Sequence, residues 1–257
     1  MTMPLEIVTV PCLSDNYAFL LHNPDTAETA VVDAPEAEAL TSALSERGWG
    51  LDHILLTHHH WDHIGGVAAL RDQYGAQVIG AAADAHRLPP LDIAVSEGDQ
   101  ITLLGADIDI LDVSGHTVGH IAFHMPQAKA LFTADSLMAL GCGRLFEGTP
   151  GQMWGSLQKM AALPADTIVY PGHEYTEANA RFAITIEPGN DMLVRRIHDI
   201  EDARAANKPT VPSRLSEELA TNPFLRPHVG EVKKSAGLPN GTEAEVFAQI
   251  RAMKDNF

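Results

Sequence analysis

His58, His60, Asp62 and His63 stand in the spacing H-x-H-x-D-H, inside the stretch Thr57-His58-His59-His60-Trp61-Asp62-His63-Ile64-Gly65-Gly66. Imidazole and carboxylate are the donors that zinc, iron and manganese accept, and those ions can activate water. In extended backbone, side chains two positions apart point the same way, so His58 and His60 can chelate one ion from a single segment. If the loop then turns, Asp62 and His63 are swung away and can serve a second ion. Two ions about 3.5–4 Å apart suit hydrolysis, because one water-derived oxygen can be shared between them. A lone histidine is usually an ordinary hydrogen-bonding residue. Four ligand-type residues at this spacing are poorly explained that way.

Such a loop needs a rigid support, and Ile54-Leu55-Leu56 supplies the core of a buried strand, Asp52 to Thr57, leading into it. The helical pattern Val67 to Tyr74 follows, which puts the histidines at a strand end, where sites in α/β folds gather. Further candidates stand at later strand ends. His116 lies in Gly115-His116-Thr117-Val118-Gly119-His120, Asp135 closes Phe132-Thr133-Ala134, and His173 closes Pro171-Gly172. Each alone is ambiguous. Their recurrence at strand ends strengthens the joint reading, and Asp135 could bridge two cations with its two oxygens.

The rest of the chain is read from turn signals and periodicity. Strands are expected at Leu5 to Val10, Tyr17 to His22, Thr29 to Asp33 and Gln77 to Gly80. More follow across Asp99 to Val113, with a turn at Gly105-Ala106-Asp107, then at Ile121 to His124, Ala130 to Thr133 and Thr167 to Tyr170. Ala37 to Arg47 reads as a helix capped at Gly48, and Met153 to Leu163 as another. After residue 173 the strands are expected to stop. Glu177 to Ile186, Asp191 to Ala206 and Thr242 to Met253 read as helices, the last begun by the capping-box pair Thr242 and Glu245. Two domains are therefore expected, 1–173 and 174–257. The first is α/β, two packed sheets with helices outside in a four-layer αββα sandwich, and the second is α-helical.

The chain has 257 residues, of which 45 % are hydrophobic and 20 % charged, the balance of a soluble globular protein. No apolar run reaches the roughly 18–20 residues that span a bilayer. Met1 to Val10 lacks a basic start followed by an apolar stretch, so no export signal is expected. The only cysteines, Cys12 and Cys142, make no disulfide scaffold and read as small buried residues, which fits the cytoplasm. With 34 acidic and 17 basic residues the formal net charge is −17. That disfavours nucleic-acid and membrane partners, and an anionic substrate would need a local cluster of basic residues.

Those motifs, with Gly141-Cys142-Gly143-Arg144, Glu174-Tyr175-Thr176, Glu187-Pro188-Gly189-Asn190, Asn222-Pro223-Phe224 and Arg251-Ala252-Met253-Lys254-Asp255, resemble the glyoxalase II (hydroxyacylglutathione hydrolase) family of the metallo-β-lactamase-fold superfamily. The resemblance covers nearly the whole chain. It implies that His58, His60 and His116 hold one metal ion, that Asp62, His63 and His173 hold a second, and that Asp135 bridges them. It leaves out His59, whose neighbour Trp61 is expected to pack the loop, and it leaves out His120. The two divalent ions are expected to be zinc, with iron or manganese as alternatives. The implied substrate is an S-2-hydroxyacylglutathione thioester, S-D-lactoylglutathione above all. Arg251 and Lys254 would hold its glycine-end carboxylate, with Arg144 and Tyr175 assisting. The chain departs from many members at Phe146, where a tyrosine would offer a hydroxyl.

The implied reaction is hydrolysis within methylglyoxal detoxification, with Asp62 both ligating and orienting the attacking hydroxide, in a monomer. Other enzymes of the same fold compete, a lactonase or a persulfide dioxygenase among them, although the dioxygenase lacks a helical tail of this kind. A non-catalytic metal-binding module is the remaining alternative. Structural zinc sites, however, are usually closed by four ligands rich in cysteine.

Overall fold

A computed structural model of the chain describes residues 5–257. Residues 1–4, part of the stretch read above for an export signal, lie outside the described residues. The chain forms two compact units. One runs to Asp112 and takes in Gly119–Thr133, and the other comprises Val113–Val118 and Ala134–Phe257.

In the first unit β1 (Glu6–Cys12) and β2 (Asn16–His22) make an antiparallel hairpin, with Val8 opposite Leu20, and β3 (Thr29–Val32) continues it. Parallel strands β4 (His53–Leu55), β5 (Gln77–Ala81) and β6 (Ile93–Val95) complete a six-stranded sheet in chain order. Parallel neighbours need crossovers, and helices supply them. α1 (Ala37–Arg47) joins β3 to β4, and the one-turn α2 (Trp61–Ile64) and α3 (Val67–Tyr74) join β4 to β5. α1 stops at Gly48, whose φ of 68° few other residues adopt cheaply, and its N–H closes the last turn onto Leu44 and Ser45. A second, antiparallel run consists of β7 (Gln100–Leu103), β8 (Ala106–Asp112), β9 (Ile121–Met125) and β10 (Ala130–Ala134).

The two sheets of this unit share a core, in which the rings of Phe19 on β2 and Phe132 on β10 lie 5.7 Å apart. Every residue of β2, β9 and β10 is buried, so these strands read as continuous apolar runs. In β8, Ala106, Ile108 and Ile110 are buried between half-exposed Asp107 and Asp109, the alternation of a strand with one face towards water.

The second unit opens with a short hairpin, β11 (Leu137–Met138) and β12 (Gly141–Cys142), followed by α4 (Pro150–Ala161) and β13 (Ile168–Pro171). α4 begins three residues before the expected Met153. Thr149 accepts from Gln152 N, the Gln152 side chain accepts from Thr149 N, and Pro150 fits the first turn. Helices α5 (Thr176–Ile186) and α6 (Asp191–Ala205) come next, then β14 (Ser213–Arg214), which pairs with β13. The expectation that strands stop at residue 173 is thus corrected, since two residues of edge pairing carry too little pattern to read. α7 (Leu215–Thr221), α8 (Gly230–Ser235) and α9 (Glu243–Asp255) close the chain.

One buried polar hub braces this unit. Glu218 on α7 accepts from Leu140 N at 2.9 Å, Ser213 Oγ at 2.7 Å and Asn222 Nδ2 at 3.1 Å, and pairs with the buried Arg196 of α6. Asn222 also donates to the carbonyls of Met138 and Gly141. The hairpin that leads to Arg144 is therefore pinned from the helical side.

Candidate metal centre and substrate pocket

In the first unit the strand end is fastened before the histidines begin. Thr57 N donates to Asp33 Oδ1 at 2.9 Å, and the Thr57 carbonyl accepts from Ile121 N at 2.9 Å. Two bonds then fix the protons of these imidazole rings. A carboxylate can only accept, so His63 donates from Nδ1 to Asp33 Oδ2 at 2.7 Å, which leaves its Nε2 lone pair towards Asp62 Oδ2 at 3.8 Å. The Thr57 hydroxyl spends its proton on Asp33 Oδ2 at 2.8 Å, so it accepts from His58 Nδ1 at 3.0 Å. His58 Nε2 then faces His60 Nδ1 across 3.2 Å. Two nitrogens on one tetrahedral zinc, each about 2.0–2.1 Å from it, would stand about 3.4 Å apart. Asp62 is held by Asn16 Nδ2, which donates to its carboxylate at 3.1 Å and to its carbonyl at 3.0 Å.

Other residues of the loop have other work. His59 Nδ1 meets Asp84 Oδ2 at 3.2 Å, and His120 stacks on the His58 ring at 4.6 Å. Trp61 is 69 % exposed, so the expectation that it packs the loop is corrected. It is the first residue of α2, and at that position its side chain points outward from the short helix.

The second unit holds a carboxylate between two imidazoles. Asp135 Oδ2 lies 3.3 Å from His116 Nε2, and Asp135 Oδ1 lies 3.3 Å from His173 Nε2. A carbonyl can only accept, so His116 donates from Nδ1 to Arg144 O at 2.8 Å and turns its Nε2 lone pair to Asp135. Gly172 N donates to Ala134 O at 3.1 Å, which sets the loop bearing His173 beside the strand end that bears Asp135. Gly143 is wedged here. A Cβ on it would come 1.9 Å from the Asp135 carbonyl oxygen and 3.1 Å from His116 Nδ1, so no side chain fits.

Two acceptors facing one another, as Nε2 of a neutral His116 and Asp135 Oδ2 do, repel unless a proton or a metal cation lies between them. The imidazole and carboxylate donors therefore fit a divalent metal ion.

His116 and Asp135 also line a cavity of about 160 Å³ in the same unit, together with Arg144, Tyr175, Arg251 and Lys254. Arg251 is buried, contrary to the ordinary fate of a helix arginine. It donates to Cys142 O at 2.8 Å and Asp255 Oδ1 at 2.9 Å, and its guanidinium lies over the Phe224 ring at 5.2 Å. Tyr175 stacks on His173 at 4.6 Å, and Phe146, 64 % exposed, leans on His116 at 5.2 Å. Cys142 is free and buried, and burial pushes its thiol up to about 11, so it is no nucleophile at neutral pH.

Comparison with known proteins decides the family. The pattern described as metallo-beta-lactamase superfamily matches residues 16–173, and that described as hydroxyacylglutathione hydrolase C-terminus matches residues 174–257. The hydroxyacylglutathione hydrolase of Ruegeria pomeroyi is 64 % identical over 255 residues, covering 99 % of this chain and 100 % of the relative. That of a Jannaschia species is 61 % identical over 252 residues, 98 % of each chain. The chain belongs to the hydroxyacylglutathione hydrolase family.

Solved structures agree on the fold. BLEG-1 B3 metallo-beta-lactamase superposes with a TM-score of 0.68 at 23 % identity, over 86 % of this chain and 100 % of that one. TTHA1623, solved in a di-iron-bound form, gives 0.60 at 27 %, over the same shares of the two chains. The fold is the α/β metallo-β-lactamase fold with a helical C-terminal region, and its histidine and aspartate clusters are those of a divalent-metal site. Two residues of this hydroxyacylglutathione hydrolase family member escape a reading by ligand type. Asn16 looks like a turn residue, and Asp33 like the polar end of a strand. The available signal was Asp33's position, an acid at the end of an apolar strand, as at Asp135. Replacing Asp33 with Asn is expected to weaken metal binding about 10- to 100-fold by releasing His58 and His63 from their tautomers. Competition with a chromogenic chelator measures this, and unchanged affinity would show that Asp33 does not orient the rings.

Proposed function

We propose that this chain hydrolyses the thioester of S-2-hydroxyacylglutathione, S-D-lactoylglutathione in particular, to glutathione and D-lactate, as a step in methylglyoxal detoxification. One observation carries the reading. In a chain of net charge −17, two arginines and a lysine converge with a tyrosine on one cavity beside His116 and Asp135. Glutathione carries two carboxylates, and such a cluster is the recognition it requires. On this reading residues 1–173 are the catalytic domain and 174–257 the substrate-binding domain.

On this reading His58, His60 and His116 would hold one ion and Asp62, His63 and His173 another, with Asp135 shared, and the clustering of these side chains supports it. When bound, the ions supply Lewis acidity towards a thioester carbonyl and towards water at neutral pH. Asp62, braced by Asn16, orients the attacking water and takes up its proton. Arg251 and Lys254 hold the glycine-end carboxylate, and Arg144 and Tyr175 assist them. The departing thiol has a pKa of only about 8.5, so no strong general acid is needed. Zinc is the metal we favour. Iron and manganese suit the same donors, and the di-iron form of TTHA1623 supports iron.

No helix among the described residues is long and apolar enough to cross a membrane. The acidic charge and two free, buried cysteines support a cytoplasmic protein without nucleic-acid or membrane partners, and a monomer is what the family resemblance implies. The deciding experiment follows thiol release from S-D-lactoylglutathione by metal-replete protein. Turnover is expected, and chelation should abolish it reversibly. Absence of release from the replete protein refutes the proposal.

A further inference from the structure

Lys254 is a cation in an uncomfortable place. Burial and the neighbouring Arg251, Arg181 and Arg144 push its ammonium down to about 8. Arg251 shares its helix, Arg181 stands on α5, and Arg144 precedes α4. The acids nearest these arginines are already engaged, Asp255 with Arg251 at 2.9 Å and Glu177 with Arg181 at 2.8 Å.

What opposes this is aromatic. Lys254 Nζ lies 5.3 Å from the centre of the Phe182 ring and 5.3 Å from that of the Phe257 ring. The two rings meet edge to face at 5.4 Å, forming a corner around the ammonium. One of its three N–H groups goes to Ala178 O at 2.9 Å, one turn before Phe182 on α5. An aromatic face attracts a cation through its quadrupole, most strongly where water is scarce.

We propose that Phe182 and Phe257 are positioning residues for substrate binding, holding the Lys254 side chain charged beside the cavity it lines. The role rests on the glutathione reading given above but has its own test. Phe182 is buried among Phe224 and Phe257, so replacing it risks the fold. Phe257 is 65 % exposed and can be changed safely.

Phe257→Leu keeps apolar bulk and loses the quadrupole, and Phe257→Tyr keeps both. Phe257→Leu is expected to raise KM for the glutathione thioester about threefold to tenfold, with kcat within about twofold, and Phe257→Tyr to restore it. The penalty should grow as pH rises through 7, because a weaker clamp lets the ammonium lose its proton earlier. In a Lys254→Met background Phe257→Leu should add nothing. Independently of activity, the Lys254 pKa, followed by NMR of the lysine side chain, should fall in Phe257→Leu. A protein that turns over no glutathione thioester but shows this fall retains the clamp and loses the substrate reading. An unmoved Lys254 pKa, or an equal KM penalty in the Lys254→Met background, overturns the clamp.

Discussion

Asp135→Asn is expected to lose bound metal and to lower kcat/KM for the glutathione thioester by about 10³-fold, since a cation clamp supplies several kcal/mol to such a reaction. The carboxylate faces a different imidazole with each oxygen, at 3.3 Å on both sides. Asparagine keeps the shape but removes the charge, and it turns one of those oxygens into a donor. That group would meet a ring nitrogen with hydrogens and offer an ion nothing. Metal content by mass spectrometry and thiol release together measure the effect, and circular dichroism checks that the fold survives. A variant that keeps its metal and more than about a tenth of its activity would remove Asp135 from the centre.

The second large effect concerns stability. Glu218→Ala should cost about 3–5 kcal/mol, because Arg196 would remain buried with its closest counter-charge gone. Glu217 stands 3.5 Å from Arg196 but is half-exposed, and it replaces little of the loss. Urea denaturation reads the cost directly. The double variant Glu218→Leu with Arg196→Met removes both charges and should recover most of the stability, though not the bonds to Leu140, Ser213 and Asn222. If the single variant is as stable as the parent, Glu218 is not the hub. Since Leu140 lies in the turn of the hairpin before Arg144, the surviving folded fraction should also bind substrate more weakly.

Legibility followed the physics of each feature. The H-x-H-x-D-H stretch stands out because few residue types can donate to a metal, and the structure brings His58 Nε2 and His60 Nδ1 within 3.2 Å of each other. α3 fell on its expected residues, and α1 did too, between a helical run and Gly48. The β6 strand and the α7 and α8 helices are short, and their burial comes from tertiary packing that leaves little periodic trace. The start of α4 is fixed by a side-chain cap at Thr149, three residues before the apolar pattern becomes visible. At the site, the ligand types stood out by themselves, whereas Asp33 and Asn16 act by holding those residues. Which group a carboxylate or amide holds is a property of three-dimensional proximity. Arg251 shows the same limit from the other side. The resemblance gave it a substrate carboxylate to hold, whereas its burial against Phe224 and its bond to the Cys142 carbonyl are visible only in the folded chain.

The wedge at Gly143 divides the loop that carries it into a fixed point and free flanks. Position 143 contributes no chemistry, yet any side chain there would strike the Asp135 carbonyl and the His116 ring. One residue later, Arg144 lines the cavity with its side chain while its carbonyl serves His116, and Phe146 is largely open to solvent. On the proposed reading, side-chain exchanges at 144 and 146 would alter what the cavity binds and leave the contacts of His116 and Asp135 in place. If that reading holds, an evolving lineage, or a designer, could retune substrate choice through those two positions so long as the glycine between the hairpin and Arg144 is left alone.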